Sequence, residues 1–278
     1  MLNQQRAICL LLGLLVLQCL FSTPAMTQGN LLLMPRRVIF EGSKRYEELN
    51  LANTGQDTAR YVISLIHIRM KEDGSFEEIQ QPDSGENFAD KYIRFFPHSV
   101  TLGPGESQTV KIQLTKVNEL APGEYRSHIY LRAVPDQKPL GEETVPDSSI
   151  SVHLTPIFGI SIPVIIRVGV PSTQVKLSDV SMQMEDTIPT IDITFRRTGN
   201  MSAYGDISVY YTSVNGKTIP VGTARGIAVY TPNQARRFRM TLDKKSHIDY
   251  HSGRLSIFYN TSDENHPVKI TEADLELR

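Results

Sequence analysis

Between Ile150 and Arg167 the chain reads I-S-V-H-L-T-P-I-F-G-I-S-I-P-V-I-I-R, with an apolar residue at every even position. Those positions are Ile150, Val152, Leu154, Pro156, Phe158, Ile160, Ile162, Val164 and Ile166. A period of two puts alternate side chains on one face of a β-strand. At ~3.3 Å per residue such a strand runs to roughly 55 Å, where an ordinary strand spans ~17–20 Å. Pro156 and Pro163 cannot donate to a ladder, which suits an edge. No charge falls between Ile150 and Ile166. Soluble proteins avoid a long, apolar, uncharged edge because it templates pairing with other chains. Either another part of the chain covers it, or it exists to pair with a second protein.

The rest of the sequence reads as strands and turns, without an amphipathic helix. The pattern predicts a first strand over 31–40 interrupted at Pro35, a second over 46–52 stopped by the Asn53-Thr54-Gly55 turn, and a third over 60–70 ended by Glu72-Asp73-Gly74-Ser75. Short strands follow at 92–96 and 100–102. After the Gly103-Pro104-Gly105 turn, residues 108–114 alternate Val110, Ile112 and Leu114 inward. Residues 124–134 form the strand before the long one. About seven strands with turn signals between them describe an antiparallel sandwich. Residues 135–149, polar and acidic with three prolines, make a long loop that feeds into the alternating strand.

Val168-Gly169-Val170-Pro171-Ser172 ends that strand and reads as a joint between domains. Beyond it, strands are predicted at 175–184, 190–196, 206–212, 218–221, 228–230, 236–242, 253–259 and 272–277. Asn215-Gly216 is a strong hairpin turn within this block. The expected architecture is all-β, with an N-terminal domain over 29–168 carrying a donor strand at 150–167, a short hinge, and a C-terminal sandwich over 171–278.

The 278 residues carry a formal net charge of −1, which gives no reason to expect nucleic acid or an anionic membrane as partner. Residues 1–25 have a basic start at Arg6, an apolar run from Ala7 to Phe21, and Ser22-Thr23-Pro24-Ala25. That is the form of a secretory signal peptide cleaved near Ala25. Gln18 interrupts the run, which falls short of the ~20 apolar residues of a membrane span. Both cysteines, Cys9 and Cys19, lie inside this leader, so the processed chain has no thiol for a disulfide or a redox site.

Motifs of catalysis are missing. His247 and His251 flank Asp249, but that spacing aligns two imidazoles only on a helix, and here it falls between strands; a solvated loop is the default. Ser127 and His128 are neighbours in a strand, so their side chains leave opposite faces and cannot act as a nucleophile–base pair. No phosphate loop, C-x-x-C or H-E-x-x-H occurs. No cofactor, nucleotide or metal is expected, nor enzymatic activity. Asn200-Met201-Ser202 and Asn260-Thr261-Ser262 match the glycosylation sequon, which matters only in a eukaryotic host. Arg36-Arg37 directly precedes Val38-Ile39-Phe40, setting fixed charge beside a β core. An arginine fork of this kind can grip a carboxylate bidentately; pairing of one arginine with a local acid such as Glu41 is the plainer alternative.

Taken in order, R-V-I-F at 37–40, N-T-G at 53–55, F-F-P at 95–97, L-G-P-G-E-S-Q-T-V-K-I at 102–112, P-G-E-Y-R-S-H-I-Y-L-R-A-V-P at 122–135 and the alternating strand resemble the periplasmic chaperones of the chaperone–usher pathway. The resemblance implies two immunoglobulin-like β-sandwich domains that bind pilus or fimbrial subunits. Such a chaperone lends a β-strand to a subunit lacking its last one, a form of strand addition, and delivers the subunit to an outer-membrane usher without nucleotide. It implies Ile150, Val152, Leu154, Pro156 and Phe158 as the side chains pressed into the subunit, with 160–166 completing the chaperone's own sheet. It also implies a basic anchor for the subunit's C-terminal carboxylate in the cleft between domains, here Arg37 with Arg167 and, more weakly, Arg36. The family's strand lysine, four residues before the terminal arginine, is Pro163 in this chain. A dimer that caps its own edge when free is left open. An exported structural or adhesive β-sandwich protein is the alternative; it is disfavoured because the donor lies in mid-chain.

Overall fold

A computed structural model describes residues 31–135, 157–244, 248–263 and 265–277. The N-terminal part contains β1 (Leu31–Met34), β2 (Val38–Phe40), β3 (Tyr46–Asn53), β4 (Ala59–Ile66), β5 (Ile68–Met70), β6 (Phe76–Glu78), β7 (Ile93–Phe96), β8 (Ser99–Leu102), β9 (Ser107–Leu114), β10 (Gly123–Val134) and β11 (Gly159–Val168). They form one sheet in the order β1-β3-β9-β7 and a second in the order β2-β11-β10-β4-β8. Alternating residues of both sheets close on a common core: Leu49, Leu51, Val110 and Ile112 from the first face Phe40, Ile63, Ile129, Leu131, Val164 and Ile166 from the second. Two sheets whose inner faces interdigitate make a β-sandwich. Tyr125, near the start of β10, turns its hydroxyl back to the backbone N–H and carbonyl of Ala121, at 3.0 and 3.2 Å, the tyrosine corner of immunoglobulin-like domains.

The second sandwich is built from β12 (Gln174–Glu185), β13 (Ile188–Thr198), β14 (Ala203–Thr212), β15 (Thr218–Val229), β16 (Ala235–Thr241), β17 (Gly253–Asn260) and β18 (Lys269–Leu277). Its sheets, β12-β13-β16 and β15-β14-β17-β18, enclose a second core around Phe195, Tyr259, Ile191, Val209 and Ile257. The fold is therefore all-β, two immunoglobulin-like sandwiches in tandem. The V-G-V-P-S segment runs between β11 and β12. Asn200 braces it, accepting from the Ser172 N–H at 2.9 Å and donating to the Val170 carbonyl at 3.0 Å.

The structure departs from the sequence pattern at three places. The strand expected over 31–40 is two strands in opposite sheets, since the donorless Pro35 lets the chain cross the sandwich rather than continue a ladder. The strand expected over 60–70 breaks at His67. The carbonyl of His67 accepts from the N–H of Ile79 at 2.9 Å, and β5 leaves the sheet to pair with β6 as a projecting hairpin. Conversely, 218–221 and 228–230 belong to one strand: Gly226, at φ +71°, sits in a bulge that the sequence presents as a break. Asn215-Gly216 forms the expected hairpin turn, with the Ser213 N–H donating to the Lys217 carbonyl.

The long alternating segment lies only partly within the described residues; Ile150, Val152, Leu154 and Pro156 fall outside them. From Gly159 onward the strand pairs antiparallel with β10 along its whole length. β2 covers its other edge in parallel, but only at Val164–Ile166.

Candidate functional site

β10 sends its odd residues, Tyr125, Ile129, Leu131 and Ala133, into its own core. Its even residues begin with Glu124, Arg126 and His128, and these polar groups are buried too, at 3%, 3% and 4% exposure. What covers them is the second sandwich and the segment that includes the β5–β6 hairpin. Buried polar groups require partners. Glu124 finds them across the joint: its carboxylate accepts from the Ser202 N–H at 3.0 Å, from the Ser202 hydroxyl, and from the Thr231 hydroxyl at 3.3 Å. Arg167, near the end of β11, donates to the same carboxylate through Nε at 3.1 Å and to the Ser202 carbonyl through Nη2 at 2.9 Å. One buried acid thus ties two strands of the first sandwich to the β13–β14 connection of the second. Arg197 holds that connection in shape by donating to the carbonyls of Gly199, Met201 and Asn233. Gly199, at φ +90°, has to be glycine, because a Cβ there would meet the Ser172 carbonyl.

A second buried tie lies one pleat along. Arg126 donates to Glu86 at 2.5 Å and to the Thr231 carbonyl at 3.3 Å, and its guanidinium lies 4.4 Å from the centre of the Tyr230 ring. His128 sits beside it, in edge contact with Phe76. Burial, followed by the charge of Arg126 and then His67, pushes the His128 imidazole down to about 3, so it is neutral in the folded protein. The hairpin segment completes the junction: Asn233 donates to the Met70 carbonyl and the Arg237 N–H to the Glu72 carbonyl, each at 2.6 Å. Met70, Ile165, Ala228 and Tyr230 make a small apolar cluster between the sandwiches.

In front of this junction opens a cleft of about 470 Å³, lined among others by Arg37, Glu41, Arg167, Thr173, Ser202 and Tyr204. Arg37 enters from the turn before β2, which its register with β11 fixes beside the joint. Its guanidinium carbon lies 3.8 Å from the centre of the Tyr204 ring on β14. Its Nε and Nη2 are buried, without a hydrogen-bond partner among the described residues. Arg167 borders the same cleft with its Nε and Nη2 engaged as above and Glu41 at 4.0 Å from Nη1. Arg36 is exposed and does not line the cleft. Two of the three arginines singled out in the sequence therefore share one cavity, and Arg37 is the one whose Nε and Nη2 have no partner among the described residues. Tyr204, Ser202 and Glu124 carried no signal of their own in the sequence. The only hint was that the polar face of β10 is richer in charge than its neighbours.

The other feature is an edge. Between Gly159 and Pro163, β11 pairs with β10 alone among the described residues. On the even face, Ile162, Val164 and Ile166 are buried, whereas Ile160 is 39% and Phe158 61% exposed. One apolar stripe thus passes from the chain's own core out to its surface, towards the segment 150–156. Ile157 is half-exposed beside it. On the outer face the Tyr130 ring lies across Gly159, so a Cβ at that position would collide with the ring.

Ser127 and His128 do not pair with each other. The Ser127 hydroxyl accepts from the Ala89 N–H at 2.9 Å and lies 3.2 Å from Nδ1 of His67, which itself stacks on Phe88 and faces Asp90 at 4.0 Å. This serine–histidine–aspartate row is structural, since Ser127 is fully buried and no substrate atom could reach it. His247 lies outside the described residues, and among those described no group of three metal-binding side chains gathers.

These features define a class: two immunoglobulin-like sandwiches, locked across a buried polar junction, with a basic cleft and an apolar edge strand at their boundary. Solved structures similar to it include fimbrial chaperones. The class 5 fimbriae chaperone CfaA is 13% identical, with a TM-score of 0.44 over 90% of this chain and 99% of that one. The E. coli chaperone DraB is 14% identical, with a TM-score of 0.44 over 91% and 98%. The Pseudomonas aeruginosa CupB2 chaperone is 15% identical, with a TM-score of 0.42 over 89% and 100%. No protein-family model and no curated protein matches the sequence.

Proposed function

We propose that the protein is a periplasmic chaperone that binds pilus or fimbrial subunits by lending them the strand that leads into β11 and hands them to an outer-membrane usher. The observation that carries this reading is the half-open edge of β11. Among the described residues its backbone is paired on one side only from Gly159 to Pro163, and its inward stripe emerges at Ile160 and Phe158. An unpaired edge bearing exposed alternate apolar residues is suited to strand addition, in which backbone hydrogen bonds supply affinity and pocketed side chains set the register. The alternation continues through Pro156, Leu154, Val152 and Ile150. Burying those four and Phe158 in a subunit groove contributes roughly 7–15 kcal/mol gross, much of it offset by association and ordering entropy. Arg37 takes the subunit's C-terminal carboxylate in the cleft, with Arg167 forming the adjoining wall.

The test is capture. Periplasmic extract should yield the protein one-to-one with a small β-rich subunit. The double substitution Leu154→Glu and Phe158→Glu should abolish that capture while the isolated protein keeps its melting transition. Undiminished capture by this variant would remove the strand from the mechanism.

A further inference from the structure

A guanidinium loses hydration when its nitrogens are buried, and Arg37 buries Nε and Nη2 with nothing among the described residues to receive their hydrogens. The compensation on hand is the Tyr204 ring, 3.8 Å away, which stabilises the cation through its π face and uses none of its N–H groups. A stacked guanidinium also has a fixed plane. Nε and Nη2 are the two donors of a side-on fork, the geometry that matches both oxygens of a carboxylate. Tyr204 is fixed in turn, packed against the apolar cluster between the sandwiches, with Gly226 leaving room at its hydroxyl. Arg167 cannot substitute, because its own Nε and Nη2 are taken by Glu124 and the Ser202 carbonyl.

We infer that Tyr204 is the positioning residue of the cleft: its ring, supplied by the second sandwich, holds the Arg37 fork of the first in the plane that receives a carboxylate. The inference rests on reading the cleft as a carboxylate anchor. It makes that anchor a single arginine, competent only while the two sandwiches are docked.

The experiment follows the Arg37 Nε–H resonance of the full-length processed protein by NMR, assigned with Arg37→Ala, during titration with N-acetylalanine and with its amide. In the wild type and in Tyr204→Phe, which keeps the ring, the acid should shift this resonance and the amide should not. Tyr204→Met refills the volume without the π face. It should bind the acid roughly 2- to 30-fold more weakly, the range spanned by cation–π contacts from exposed to desolvated, and should lose the ring-current shift of Nε–H. Equal affinity in Tyr204→Met, or equal weakening in Tyr204→Phe, overturns the positioning role while the carboxylate reading stands. A wild-type resonance indifferent to both probes overturns the carboxylate reading itself, and Tyr204's role in it, even if the ring-current shift persists.

Discussion

Arg126 and Glu86 are each almost wholly buried, with side-chain exposures of 2%. Their mutual attraction offsets two desolvation costs, so removing one partner strands the other. Arg126→Ala should destabilise the protein by about 3–5 kcal/mol, read as a lowered urea midpoint. The double change Arg126→Met with Glu86→Gln should recover part of that loss. His128 next to this pair makes a prediction about pH. Unfolded, its imidazole takes a proton near 6.5; folded, it does so only near about 3. The unfolded state therefore holds more protons across that window, and stability falls as pH drops from about 6.5 towards 3, at up to about 1.4 kcal/mol per pH unit. Replacing His128 with Leu should flatten this slope in denaturation series at pH 7, 6 and 5. An unchanged slope would place the acid sensitivity elsewhere.

At the scale of an element, β11 joins two environments in ten residues. Its second half is sandwiched between β10 and β2 and fills the core; its first half has one neighbour among the described residues. Hydrogen exchange should record this gradient, with slow amides at Val164–Ile166 and faster ones among residues 159–162, since local opening is cheapest where packing is thinnest. A bound subunit should slow the second group most. Gly159 allows the Tyr130 ring to cover the strand where it emerges. Gly159→Ala should displace that ring and cost roughly 1–3 kcal/mol, as overpacking does. In the double variant with Tyr130→Ala, the alanine at 159 should cost much less. Additive losses would mean that the two positions are uncoupled.

For the whole molecule, the decisive group is Glu124, whose single carboxylate meets Arg167, Ser202 and Thr231. With it, Asn233 and Arg237 hold the hairpin segment against the second sandwich. Glu124→Ala would leave Arg167 Nε, the Ser202 N–H and the Ser202 and Thr231 hydroxyls without the carboxylate that receives them, with Arg167 Nη2 still on the Ser202 carbonyl. The expected result is two intact sandwiches that tumble more independently, so that residual dipolar couplings fit separate alignment tensors, while each core keeps its chemical shifts. Because Arg37 depends on Tyr204 across the same junction, this variant should also lose carboxylate binding in the cleft.

The amino-acid sequence was sufficient for what depends on local periodicity. The alternation of apolar residues specified strands and their inward faces. Asn215-Gly216 specified a hairpin. Of the run ending at Arg167, the residues from Gly159 onward form a strand, and those from 150 to 156 lie outside the described residues. Arg37 stood out because its charge abuts Val38-Ile39-Phe40. Where local patterning is silent, tertiary structure decided. Pro35 separates two sheets rather than interrupting one strand, and Gly226 makes a bulge rather than an end, since only the neighbouring strand reveals the register. Alternation puts Glu124, Arg126 and His128 on one side of their strand, but period two says which residues share a side and nothing about what covers it. Their cover comes from Ser202, Thr231 and the segment around Glu86, up to 107 residues away along the chain. Tyr204 gave no warning for the same reason: a tyrosine becomes the seat of an arginine only when a second sandwich brings it there.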